Sequence, residues 1–579
     1  MTNFFTDNPD LAFVLEHLDL ARVVELREDG FAEARDFTYA PRDYEDALDG
    51  YRRTLEIVGD IAGEFVAPRA EEVDKQGTSY TDGVVTYAPG VAESLERLRQ
   101  ADLMGITLPR RYGGLNFPAT VSAMIVEIIS RADAALMNVF GLQDIAETIN
   151  KFAAEEIKQE YLPRFASGEV TGSMALTEPE AGSDLQNVQL KATLGDDGVW
   201  RLNGVKRFIT NGNGQVSLVL ARSEEGSSDA RGLSLFLYER DEHMRIRRIE
   251  DKLGIHGSPT CELQFTDAPA LLVGERRRGL TTYVMSLMNG ARLAIAAQAQ
   301  GIAEAAYRAA EKYSRERVQF GAPIRELTAV AGMIADMKVA LEASRALLYE
   351  TGLIVDMKEG LEGRVERLAS GEAEPKHPDE LKQLRAELKR YNRLAGLFTP
   401  LAKGHCSETA NRIAYDALQV HGGSGYMRDF AVERHLRDAR ITTIYEGTTQ
   451  LQVVAAIGGV LGGTLAQQLE RYDGGDYAAT PELLERMRKA RPDLEWAIER
   501  VRAADDARFK DFHARRLVEM ATDVICGYLL LRDAQAGARK LLVARHFIDQ
   551  MAPRVAAGAQ AIVESSPESL DALNAVAAD

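Results

Sequence analysis

Three short segments of the 579-residue chain combine glycine, hydroxyl and amide residues in ways that core packing does not require. In Ser173–Leu185 (SMALTEPEAGSDL), Thr177 and Ser183 offer hydroxyls while Pro179 and Gly182 set a turn. Backbone N–H groups left free in such a turn can bind an anionic or electron-rich group, although an Asp/Ser turn leading out of a domain is also an ordinary structural feature. In Arg207–Gly212 (RFITNG), strand alternation places Phe208 and Thr210 on one face. An aromatic beside a hydroxyl suits a flat heteroaromatic ring, and equally a plain sheet face. In Gln419–Gln452, Gly422, Gly423 and Gly425 permit close backbone approach, and Glu446 stands beside Gly447, Thr448 and Gln450 where a helical pattern resumes. A carboxylate in that turn is an N-cap, a half-exposed surface acid or, if buried, a base.

The elements that must position these residues change period along the chain. From Ala40 to about Val170 the pattern is helical: Leu48, Tyr51, Leu55, Ile57, Val58 and Ile61 recur at helical spacing until Pro68 stops the run. A second helix ends at Gly105 and a third covers Ala119–Ser130, so this block reads as all-α. Near Gly172 the pattern turns to strands. Asn203-Gly204 and Asn211-Gly212 flank the run Val205–Thr210 and predict a hairpin, and Gln215–Arg222, Gly232–Arg240 and Cys261–Asp267 add strand-like runs. Helical periodicity returns after Leu280. The charged stretch 358–389, with Pro375 and Pro378, reads as an insertion between core helices, and Gly474–Glu482 reads as a linker into a further helical segment.

Length and composition bound the function. A chain of 579 residues is too long for one core, and 45% apolar with 27% charged residues is globular rather than disordered or fibrous. The net charge of −19 argues against nucleic acid and acidic membrane surfaces, so any anionic ligand must be held by a local device. Cys261, Cys406 and Cys526 lie far apart, which suggests neither a disulfide framework nor a metal site. Acids at Asp7, Asp10, Glu16 and Asp19 do not fit a secretory signal, and the apolar run Val453–Gly463 is too short for an integral membrane segment. A cytoplasmic location is expected.

The three segments, with RERVQFGAPI (Arg315–Ile324) between the second and third, resemble the acyl-CoA dehydrogenase family over about residues 45 to 460. The resemblance implies an FAD flavoprotein that oxidises the Cα–Cβ bond of an acyl-CoA thioester to a trans-2-enoyl-CoA and passes electrons to an electron-transfer flavoprotein. It implies that Glu446 of IYEGT is the base and that its backbone N–H polarises the thioester carbonyl. Met174, Leu176, Thr177, Phe208 and Thr210 match positions at the flavin ring, and Ser183 matches one at the pyrophosphate or the CoA phosphates. Thr448 and Gln450 match positions near the adenosine half, while Arg317, Phe320, Gln419 and Gly423 match positions that reach the FAD of a neighbouring subunit. Gly447 and Ser183 fall on the substrate side, as does Arg292 of MNGAR, which matches a residue orienting the base region. Members that carry the base on another helix have it at the position of Ala291, and alanine cannot be a base.

The implied architecture is α+β and multidomain. An N-terminal extension (1–45) precedes a helical N-domain (46–170), a β-barrel-like domain (171–280), a four-helix C-domain (281–460) and a C-terminal helical extension (461–579). The outer segments are similar in layout to the larger bacterial subgroup that includes methylthiopropionyl-CoA dehydrogenases, which points to a dimer. Two other readings compete: an acyl-CoA oxidase using O2, and a non-turnover flavoprotein that binds nucleic acid or a protein partner.

Overall fold

The computed structural model describes residues 2–576. It comprises two compact units: the chain up to Ala305 with Met427–Thr442, and Ala306–Tyr426 with the chain from Thr443 onward.

In the first unit the N-terminal head is clamped by two buried arginines. Arg110 holds Glu28 through two bonds of 2.6 and 2.9 Å and reaches Glu33 at 2.8 Å, and Arg131 grips Asp7 at 2.5 and 2.7 Å. Gly59 lets the first residues lie against the following helix, because a Cβ there would fall 2.2 Å from Asn3 Oδ1. That helix, Tyr44–Asp60, is capped by Asp43. Pro68 does not stop the helical run, which passes through a wide turn at Ile61–Val66 and a tight one at Ala67–Arg69 into Ala70–Gln76. Proline opens the tight turn, where its missing N–H costs little.

The block is not purely helical. Strands Ser79–Thr81 and Val84–Thr86 form a hairpin around Asp82 and Gly83, both with positive φ. The next helix, Pro89–Gln100, ends well before Gly105. That glycine is required by packing, since a Cβ would meet Ala166 Cα at 2.8 Å.

The middle of this unit is a seven-stranded sheet in which five strands close a ring: Val216–Arg222, Lys191–Leu194, Trp200–Thr210, Thr260–Val273, Leu233–Glu239 and back to Val216–Arg222. Alternate side chains of one strand serve two cores. Val219 and Ala221 join Trp200, Leu202 and Phe265, whereas Leu218 and Leu220 join Tyr161, Leu162 and Phe165 of helix Glu155–Ala166. Burial on both faces explains why Val216–Ala221 reads as a nearly unbroken apolar run.

The expected hairpin is not formed. Asn203-Gly204 lies inside the long strand at a register shift, where Gly204 has φ 144° and packs against Leu190. Trp200–Thr210 pairs with Lys191–Leu194 and Thr260–Val273, not with the strand that follows it. The Asn211 side chain donates to the Gly172 carbonyl at 2.8 Å, which draws the chain to the strand Gly172–Ala175 instead of folding it back.

In the second unit two long helices, Thr328–Ser370 and Glu380–His421, pack along each other. Most of segment 358–389 extends these helices, and a short connection carries Pro375 and Pro378. Arg364 closes it by binding Glu380 at 3.0 Å and the Glu374 carbonyl at 3.0 Å. Helix Thr449–Leu461 packs on Glu380–His421. The tail helices Pro481–Arg502, Ala507–Asp533 and Ala538–Val563 pack on one another, and the last two also pack on Thr328–Ser370. Buried Glu342 binds Arg539 and Lys540 at 2.6 and 2.8 Å, and Glu350 binds Tyr472 and Arg532 at 2.8 and 2.7 Å. All three cysteines are buried. Among the described residues no single helix is long and apolar enough to cross a membrane.

Candidate active site

In the first unit the loop after Ala175 is anchored by a buried ion pair that sequence reasoning passed over. Lys206, with no exposed surface, donates to Glu178 at 2.9 Å and to the Leu176 carbonyl at 2.8 Å. The Glu178 carboxylate also accepts the N–H groups of Gln189 and Leu190 at 2.7 and 3.0 Å, and the Arg207 N–H donates to the Thr177 carbonyl at 2.9 Å. Burial pushes the Lys206 ammonium down to about 8, against the pull of Glu178. These bonds bring Leu176 and Thr177 beside the strand segment that carries Phe208. A lysine within a β-run and a glutamate within SMALTEPEAGSDL were the available signals.

Phe208 sits in that strand at a bulge, with φ 61° and half its surface exposed. The bulge breaks simple alternation: Lys206 is wholly buried, whereas Phe208, two residues on, faces outward under the Arg207 guanidinium, 4.6 Å from the ring centre. Thr210 and Met174 are half-buried, and Leu176 is buried. Ser183 is exposed on the loop beside Gly182, where a Cβ would meet nothing within 4 Å. Arg292 is largely buried in helix Met285–Glu316 and donates to Asn289 at 3.1 Å.

In the second unit Glu446 and Gly447 both occupy the left-handed region, with φ 52° and 88°. Glutamate there is unusual, and such strain persists only when neighbours over-determine the turn. Buried Gln452 donates to the carbonyls of Glu446 and Gly447 at 3.2 and 2.8 Å, and buried Lys403 donates to the Gly447 carbonyl at 2.7 Å. The Thr449 N–H closes onto the Thr443 carbonyl at 3.0 Å. The N-cap of the next helix is Thr448, not Glu446. Glu446 is half-buried and Gln450 exposed.

The same unit carries the other four expected residues on exposed positions. Phe320, with φ 54° and 93% exposure, tips a small hairpin, and the Arg317 carbonyl accepts the Ile324 N–H at 2.8 Å across its base. Gln419 and Gly423 lie at the end of helix Glu380–His421 and the turn beyond it. Tyr313 connects the two places: it stacks on His421 with ring centres 4.3 Å apart and donates to Ser424 at 3.3 Å. A Cβ on Gly423 would meet nothing within 4 Å, and its φ is not positive, so neither packing nor backbone within this chain demands glycine there.

Comparison with known proteins adds to this geometry. The N-terminal, middle and C-terminal domain descriptions of acyl-CoA dehydrogenases match residues 51–169, 173–268 and 278–366 with 382–457. A fourth, acyl-CoA dehydrogenase C terminal, matches residues 462–560. A 3-methylmercaptopropionyl-CoA dehydrogenase of Ruegeria pomeroyi is 32% identical over 78% of this chain and 75% of its own length. The solved butyryl-CoA dehydrogenase of Megasphaera elsdenii is 30% identical with a TM-score of 0.60 over 71% of this chain and 98% of its own. An acyl-CoA dehydrogenase of Bacillus anthracis, solved with FAD, shares the fold more widely, with a TM-score of 0.73 over 90% of this chain and 89% of its own, at 23% identity.

Proposed function

Because the chain belongs to the acyl-CoA dehydrogenase family, we propose that it is an FAD-dependent enzyme that converts an acyl-CoA to its trans-2-enoyl-CoA, with Glu446 as the base. The observation that carries this reading is the left-handed Glu446, held by Gln452 and Lys403 through its own and the following carbonyl. A surface acid or an N-cap would need no such restraint, and the cap is already Thr448.

The residues present fit FAD. Phe208 is an aromatic with no place in either core cluster, presented by a bulge, and Gly182 and Gly423 leave open space where a side chain would stand. When bound, FAD supplies the acceptor for a hydride. Phe208, Met174, Leu176, Thr177 and Thr210 are assigned to its ring, and Ser183 to phosphate. Thr448 and Gln450 are assigned to the adenosine half, and Arg317, Phe320, Gln419 and Gly423 to the FAD of a second subunit. On the substrate side stand Ser183, Arg292 and Gly447.

Glu446 takes the α-proton of the thioester, and its backbone N–H donates to the thioester oxygen, where negative charge develops. As the α C–H bond gives up its proton and the β C–H bond its hydride, the remaining electron pair forms the trans double bond. Electrons then pass to an electron-transfer flavoprotein.

Replacing Glu446 by Gln is the direct test. The variant is expected to purify yellow and FAD-loaded, and to show no flavin bleaching under anaerobic titration with straight, branched, thioether or cyclic acyl-CoAs that bleach the parent. Bleaching by the variant at the parental rate would remove Glu446 from this role.

A further inference from the structure

We propose that a cleft in the second unit, between the helix faces at residues 386–394 and 464–471, binds a phosphate group. Arg390, Arg393, Arg471, Thr464, Gln467 and Gln468 line it, and no carboxylate does. Residues 386, 390 and 393 share one face of helix Glu380–His421, and 464, 467, 468 and 471 share one face of helix Thr464–Asp473. The two rows, polar apart from Ala386 and the neighbouring Leu394, therefore oppose each other across the gap.

Three features give the cleft its chemistry. First, none of the three guanidinium groups has a carboxylate partner among the described residues, although the chain carries a net charge of −19. Like charges gathered without a counter-charge repel, and an anion between them removes that cost. Second, Arg390 Nε is buried with no hydrogen-bond partner, a donor whose desolvation an oxyanion would offset. Third, the lining helix begins at Thr464 behind Gly463, with no side-chain cap, so the positive end of its dipole lies at the Thr464 end of the cleft.

Size selects the ligand. The cavity holds about 110 Å³, room for a phosphate or the end of a diphosphate but well below the roughly 300 Å³ at which whole drug-sized ligands are enclosed. At about 1.5 Å per residue, Arg390 lies roughly 40 Å along its helix from Gln419 and roughly 20 Å from Lys403, which holds the turn leading into Thr448, so this is not the place assigned to FAD. A bound phosphate joins the core helix to the first helix beyond residue 461, which makes it a staple for the C-terminal extension.

The test uses the full-length, FAD-loaded protein at constant ionic strength, titrated in separate calorimetric runs with inorganic phosphate, pyrophosphate and glycerol phosphate. One saturable site per chain is expected, with a rise in unfolding temperature in the presence of the bound anion. The tightest of the three probes identifies the source as free phosphate, diphosphate or phosphomonoester. Arg390→Gln with Arg393→Gln is expected to weaken that binding at least tenfold while FAD content and acyl-CoA turnover stay unchanged. Arg471→Gln alone, at an exposed position, is expected to weaken it several-fold and guards against misfolding of the double variant. Binding of equal strength in both variants would place the anion elsewhere, and no saturable binding in the parent would overturn the proposal.

Discussion

The Nζ of Lys403, wholly buried on helix Glu380–His421, donates to the carbonyl oxygen of Gly447 at 2.7 Å, one residue beyond the strained Glu446. Gln452 meets the same carbonyl at 2.8 Å. A buried cation and a buried amide thus hold the Gly447–Thr448 peptide, one step beyond the proposed base. Lys403→Met leaves Gln452 alone on that carbonyl. On the role proposed for Glu446, turnover is expected to fall by roughly ten- to a hundredfold with little change in KM, since small misplacements of a reacting group carry such penalties. Steady-state kinetics with FAD content as a control checks this, and unchanged turnover would show that the lysine only fills space.

The left-handed backbone of Glu446 leads to a separate expectation. Glu446→Gly relieves the Cβ clash of that conformation, so it is expected to keep or raise stability, by up to about 1 kcal/mol, while abolishing turnover. Chemical unfolding beside an activity assay distinguishes this from a damaged fold, in which both would be lost.

Phe208 allows a similar separation of binding from folding. It is half exposed at positive φ, so Phe208→Ala removes little core contact and is expected to alter apoprotein stability by less than about 1 kcal/mol. FAD affinity is expected to fall about tenfold or more if the ring stacks as proposed. Equilibrium dialysis of FAD and the apoprotein melting temperature read the two effects independently.

Asp438 makes the first unit sensitive to pH. It is buried, accepts the Ile255 N–H at 2.6 Å, and has Arg434, Asp133 and Asp74 as charged neighbours. Burial, with repulsion from Asp133 and Asp74, outweighs the N–H and Arg434 and pushes its carboxyl up to about 7. The folded value lies above the unfolded one, so this group's contribution is fully present below about pH 4 and is lost as pH rises through about 7. Asp438→Asn keeps an acceptor for Ile255 and removes the titration. The variant is expected to match the parent near pH 4 and to exceed it by a few kcal/mol at pH 8 in urea unfolding. A variant–parent difference that does not change with pH would refute the assignment.

Much of this fold was legible in the residues because the signals were local. The period change near Gly172 and its return after Leu280 mark the passage from helices to sheet and back, as seen at Gly172–Ala175 and Met285–Glu316. Signals with two structural outcomes misled. Asn203-Gly204 predicts a turn, yet a left-handed or extended glycine also serves a bulge, and partner strands decide between them. Pro68 predicts a stop, yet it also fits the opening of a tight turn after the preceding helix widens.

By itself the sequence determined the family, through SMALTEPEAGSDL, RFITNG and IYEGT in order, and the helix–sheet–helix layout, because both reside in local pattern and spacing. Only the tertiary structure decided what holds those motifs. Glu178 and Lys206 are 28 residues apart, and Lys403 and Gly447 are 44 apart. A buried lysine and a surface lysine look alike in a sequence, since the cost of burial and the partner that offsets it exist only once distant segments have met.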